Sequence, residues 1–176
     1  EEQRLIVSHG QLESVWPISG SLLVLNDIAY FAAGRSSYLD GGMRLYGLEP
    51  HTGQTLVSQL LSTRHDDGSE FLDEQSVDGY LNDVLASDGE RIFMRHQVLD
   101  LEGNPQQQRV SHLHRPDGYL SSDTTNRLLW TYAPMYTSPH QGAFYDLRLS
   151  RMLFPSGRIL VEEGDTIFGY GQNRYD

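Results

Sequence analysis

Apolar positions along this chain come in short bursts, each cut off by Gly, Asp, Asn or Pro. From Ser21 the order is SLLVL, a polar pair Asn26-Asp27, IAYFAA, the break GRSSYLDGG, then MRLYGLE, PHTG and QTLVSQLL. No long segment places apolar residues at i, i+3, i+4 and i+7, so helices are not expected. Runs rich in Val, Ile, Leu, Tyr and Phe between turn formers predict strands instead. Asn26-Asp27 suits a tight turn, and Asp40-Gly41-Gly42 accepts positive φ at little cost. Pro50 presets φ for a further turn, and Gly53 can take its left-handed position. Four strands in chain order make an antiparallel meander of roughly 40 residues, the size of one propeller blade.

The pattern recurs. DVLASDGERIFMRHQVLDLEGNPQQQRVSHLH again reads strand, turn at Asp88-Gly89, strand, short link, strand, turn at Glu102 to Pro105, strand. GRILVEEGDTIFGYG begins a third copy, with its turn at Glu163-Gly164-Asp165. The cores LLVLNDIAYFAA, VLASDGERIFMR and ILVEEGDTIFGY align as an apolar pair, an acidic or Gly turn, and a second apolar strand. LYGLEPHTG and LDLEG then take matching places in the first two copies. The expected fold is all-β: a propeller fragment of about three four-stranded antiparallel blades with insertions. Residues 1–17 would end a preceding blade, 18–62 form one blade and 81–114 another, and 151–176 begin a further one. Residues 63–80 are an acidic insertion and 115–150 an aromatic and polar one; in a propeller, insertions gather on one face and often carry the binding site.

Composition narrows the possibilities. The chain has 176 residues and a net charge of −11, so a phosphate-binding basic face is not expected, nor is nucleic acid as a partner. No apolar run approaches the ~18 residues of a membrane helix, and membrane insertion is not expected. There is no Cys, which removes disulfides, thiolate metal sites and Cys nucleophiles. All 13 basic residues are Arg, so Schiff-base chemistry and a P-loop lysine are excluded. The chain opens on Glu1 and closes on TIFGYGQNRYD, and both ends are expected to have been cut from something larger.

LYGLEPHTGQTL is similar to the recurring blade motif of pyrroloquinoline-quinone (PQQ)-type β-propellers, with Gly47, Leu48, Glu49, Thr52 and Gly53 in its places. The usual Trp of the strand after Thr-Gly is missing, and the second copy keeps Glu102-Gly103 without the Thr. Most of the chain, through AYFAAGRSSYLDGGMRLYGLEPHTG, DVLASDGERIFMRHQVLDLEG, GYLSSDTTNRLLWTYAP and GRILVEEGDTIFGYG, resembles the C-terminal part of bacterial, planctomycete-type PQQ-like repeat proteins. The resemblance implies an exported, periplasmic or otherwise extracytoplasmic protein, the remaining blades being supplied by the same longer chain. Its name also implies PQQ and Ca²⁺. True quinoprotein dehydrogenases hold the quinone with a vicinal disulfide, a stacking Trp and an acidic Ca²⁺ set. This chain has no Cys and no assignable acidic set, so no cofactor is expected.

The candidate chemistry is sparse. Arg35, Ser36 and Asp40 share the GRSSYLDGG loop; Arg35 either meets a carboxylate or sulfate in bidentate fashion or pairs Asp40 and holds the turn, and the second is favoured. No Gly-x-Ser-x-Gly elbow supports a Ser nucleophile. Asp66, Asp67, Glu70, Asp73, Glu74 and Asp78 could hold Ca²⁺, but their spacing does not match an EF-hand and a solvated acidic loop is favoured. His112 and His114 share one strand face and lack an identifiable third ligand, so no metal site is expected. Asn126, Arg127, Trp130 and Tyr132 combine aromatic faces with polar tips, as sugar sites, planar-ligand sites and protein interfaces do; packing between blades explains them equally well. The expected function is a non-catalytic scaffold that binds a protein or polysaccharide ligand at its loop face. The alternative is part of a quinone-dependent oxidoreductase or a carbohydrate-active enzyme whose site is completed outside this stretch.

Overall fold

The computed structural model describes residues 4–62, 80–95, 97–106, 108, 110–114, 130–134 and 155–171. Among these residues every regular element is a β-strand and every pairing between strands is antiparallel. A hairpin comes first, β1 (Leu5–Ser8) with β2 (Gln11–Ser14), turning on His9 and Gly10 at φ of 49° and 78°.

The first full sheet is a meander of four strands, β3 (Leu23–Leu25), β4 (Ile28–Ala33), β5 (Met43–Leu48) and β6 (Thr55–Leu61). Asn26 and Asp27 connect β3 to β4 at φ of 51° and 60°. Two successive left-handed residues are what a two-residue hairpin needs to match the strand twist. Gly47 explains the small residue of the repeat motif. It sits opposite Tyr30, and a Cβ there would lie 3.0 Å from Ile28 and Val57 and 3.1 Å from the Tyr30 ring. Gly47 also borders a register shift against β6. With the ring laid over Gly47, the Tyr30 hydroxyl reaches out of the sheet and donates to the Leu101 carbonyl at 3.1 Å.

The second sheet contains β7 (Leu85–Ser87), β8 (Ile92–Met94) and β9 (Gln97–Leu99) in that order. The chain then turns at Asp100–Asn104 and returns only briefly, with a bridge between Leu99 and Pro105 and a bond from the Gln106 amide to the Val98 carbonyl at 2.8 Å. The stretch that would complete a four-stranded second copy, β10 (His112–His114), pairs elsewhere. It joins β11 (Trp130–Ala133) and β12 (Ser156–Gly157) in a third sheet. β11 thus lies inside the stretch that the pattern sets apart as an aromatic insertion. A last hairpin, β13 (Ile159–Glu163) with β14 (Thr166–Tyr170), carries the third copy's turn.

The sheets stack in chain order. One face of the first sheet, with Tyr30, Ala32, Met43, Leu45 and Leu61, forms a single core with Leu85, Ile92, Met94 and Leu99 of the second. On the opposite face of the second sheet Phe93 lies flat on His112 of the third, with ring centroids 4.0 Å apart and planes within 7°. All three residues of β8 are therefore buried, which is what a strand covered on both sides requires. Away from that core, Val24 and Leu60 of the first sheet are 63% and 42% exposed, and the terminal hairpin exposes Ile159, Val161, Phe168 and Tyr170.

Candidate functional site

The loop 34–42 carries three of the residues singled out above. Its exit uses successive positive φ values at Asp40, Gly41 and Gly42, and a Cβ at Gly42 would lie 2.7 Å from the Leu61 carbonyl oxygen. The loop is folded around an ion pair. Arg35 donates from Nε at 2.8 Å and from Nη2 at 2.6 Å to one oxygen of Asp40, whose side chain is 8% exposed. The other Asp40 oxygen is 3.8 Å from the Arg4 guanidinium. Ser36 accepts from the Tyr38 amide at 3.2 Å and is bridged to Leu81.

The loop is also sewn to the strand-like segment that leads into the second sheet. The Ser37 amide donates to the Tyr80 carbonyl at 2.9 Å, and the Tyr80 amide donates back to Ser37 Oγ at 2.8 Å. Burial pushes the Tyr80 phenol up to about 12. Asn82 donates to the carbonyls of Pro17 and Gly34, at 3.3 and 3.1 Å. Arg35, Ser36 and Asp40 are thus engaged in the loop's own architecture, and Arg35 with Asp40 forms the loop-bracing pair.

The turns after the third strands show which residues are equivalent. Glu49 accepts from the amides of His51 and Thr52, at 3.0 and 2.6 Å, and from the Thr52 hydroxyl at 2.5 Å. These bonds, the Thr52 hydroxyl first, hold its carboxyl below the usual range. Asp100 plays this part in the second copy, accepting from the Asn104 amide at 2.7 Å and from its side chain at 3.0 Å. The Gly53 amide bonds the Glu49 carbonyl and the Gly103 amide the Asp100 carbonyl, at 2.9 and 3.0 Å. Asp100, two residues before Glu102, is therefore the structural counterpart of Glu49.

Trp130 and Tyr132 sit two apart on β11 and share a face. Trp130 is half-buried, and the Tyr132 hydroxyl donates to Glu162 at 3.0 Å. Burial, and then the Glu162 carboxylate, raise the Tyr132 phenol above its usual value. Asn126 and Arg127 lie outside the described residues, as do Asp66 to Asp78 of the acidic insertion. Loop 34–42 belongs to the first sheet and β11 to the third, with the second sheet stacked between those two.

A cluster of titratable groups that the sequence pattern only half indicates lies at the junction of the second and third sheets. Asp83, Arg95, His112 and His114 line one cleft there. His112 Nδ1 is 2.8 Å from the Val110 carbonyl oxygen and Nε2 is 2.8 Å from that of Arg95. A neutral imidazole has one N–H and can donate to only one of them. Both nitrogens face carbonyl oxygens. His114 Nδ1 is 3.2 Å from the His112 carbonyl oxygen. Arg95 Nε is buried without a hydrogen-bond partner, 4.0 Å from the nearest Asp83 oxygen. The signal for this cluster was the His-x-His spacing; Asp83 and Arg95 had none.

The chain has no Cys, and among the described residues no three His, Asp or Glu side chains gather as a metal would need. No described helix is long and apolar enough to cross a membrane. No protein-family model, no curated protein and no solved structure matches the chain.

Proposed function

We propose that this chain is part of a non-catalytic β-propeller of the PQQ-like repeat type, and that its loop face binds a protein or polymer ligand. The observation that carries the reading is the second sheet, which is covered on both faces by sheets that precede and follow it in sequence. A two-layer sandwich leaves one face of each sheet toward solvent, whereas blades of a propeller bury both. Arg35 and Asp40 are spent on each other, which favours a structural loop over a reacting one. The aromatic pair Trp130 and Tyr132 is the surface offered to a ligand, with the planar faces that sugars and peptide side chains use. An extracytoplasmic location follows from the resemblance alone.

The test uses two measurements. Pyrroloquinoline quinone with Ca²⁺ is titrated into the protein, and no cofactor absorbance or dye-linked alcohol oxidation is expected. Co-sedimentation with insoluble chitin, cellulose and peptidoglycan then probes polymer binding, with Trp130→Ala abolishing it and leaving the melting temperature nearly unchanged. Bound quinone with turnover would overturn the scaffold reading in favour of an oxidoreductase. A large drop in melting temperature for Trp130→Ala would assign that residue to packing.

A further inference from the structure

We propose that the junction between the second and third sheets is an acid-released joint, with His114 as its trigger. The inference does not depend on what the loop face binds. His114 projects from β10 into the cleft between the sheets and is 7% exposed. The charged and titratable groups around it are His112 on its own strand, with ring centroids 5.0 Å apart, Arg95 from the β8–β9 turn, and Asp83 from the segment before β7. Across the sheet it pairs with Thr131, which is buried and uncharged.

The charge balance in that cleft is already short of anions. Asp83 is the lone carboxylate among the described residues lining it, and the Arg95 Nε beside it has no hydrogen-bond partner. His112 faces two carbonyl oxygens and brings no negative charge to the cleft. A proton on His114 adds a further cation at a ring that solvent barely reaches, and the cheapest relief is for the third sheet to lift away. The direction of the shift agrees. Burial first, and then the charge of His112 and of Arg95, lower His114 from 6.5 to about 4, partly offset by its bond to the His112 carbonyl. A histidine lowered in this way contributes stability that is present above about 6.5 and lost as pH falls towards about 4.

Hydrogen exchange of the whole chain, corrected for the intrinsic pH dependence, reads the joint directly. Between pH 7 and pH 4.5 the protection of residues 112–114 and 130–133 should fall at least ~10-fold, while that of residues 28–33 and 43–48 is retained. His114→Gln should remove most of that fall. Equal loss in the variant and the wild type, or no loss in either, would overturn the proposal. Should His114→Gln not fold, the ring-proton titration of His114 in the wild type decides: a midpoint near 4 is expected, and one at the ordinary imidazole value rejects it.

Discussion

Leu45 and Leu60 lie close together on neighbouring strands but on opposite faces of the first sheet, so deleting the same atoms at each position measures which face is the interior. Leu45 is completely buried, opposite Ala32 on one side and Gln59 on the other. The Gly103 turn of the second sheet rests on it: a Cβ at Gly103 would be 3.0 Å from Leu45 Cδ2. Leu45→Ala therefore empties a space walled by two sheets that cannot both collapse into it, and a loss of about 3–4 kcal/mol is expected. For a protein of this size that corresponds to roughly 10 °C in melting temperature. Leu60 is 42% exposed and pairs with Arg44 on the outer face. Leu60→Ala should cost less than about 1 kcal/mol, because much of the deleted side chain is already in water. Guanidinium denaturation followed by far-ultraviolet circular dichroism gives both values under one set of conditions. Equal costs would refute the assignment of the inner face, and with it the stacking of the first sheet on the second.

Three further outcomes follow from named contacts. Tyr30→Phe removes the donor to Leu101 that ties the first two sheets together, and should cost about 1 kcal/mol in the same denaturation experiment with little structural change. Gly103→Ala places a side chain at φ 87°, with its Cβ 2.9 Å from that of Gln59; roughly 1–3 kcal/mol should be lost, and a neutral result would mean that the turn does not pack there. Arg35→Ala leaves the nearly buried Asp40 carboxylate without its close partner, so loop 34–42 should become the first site of limited proteolysis while the core transition moves little.

The parts of the fold that the sequence made legible are those decided by neighbours. IAYFAA became β4 with the boundaries its pattern predicts, and Asn26-Asp27, Asp40-Gly41-Gly42 and Gly53 took the positive φ values their chemistry permits. Each of these choices is settled within a few residues. The fourth strand of the second copy was not so settled. HLH has the alternation of a strand, but periodicity does not say whether its partner is β9, on its N-terminal side, or β11, within the aromatic insertion; the chain chooses β11. The second-copy turn misled for a related reason. Glu102-Gly103 matches the motif, yet the carboxylate that accepts a turn amide is that of Asp100, because cap position is counted from the end of the strand and not from the glycine.

The candidate site divides along the same line. Arg35 with Asp40 was readable as a pair because both sit in one loop. The Asp83, Arg95, His112 and His114 cleft is made by laying one sheet on another, so no local spacing announces it beyond the two histidines.

The order in which the sheets stack has a consequence for how the protein is made. Each of the first two sheets is built from strands adjacent in sequence, so it can close on itself as soon as its own segment leaves the ribosome. The inner face of the first sheet, with Tyr30, Met43 and Leu45, then waits for Leu85, Ile92 and Met94 to emerge. At roughly 5–20 residues per second, the roughly 25–35 residues from Leu61, which completes the first sheet, to those positions take on the order of a few seconds to synthesise. During that interval the nascent chain displays a greasy, ready-made surface, and a holdase acting in that window would protect it more effectively than one arriving after release.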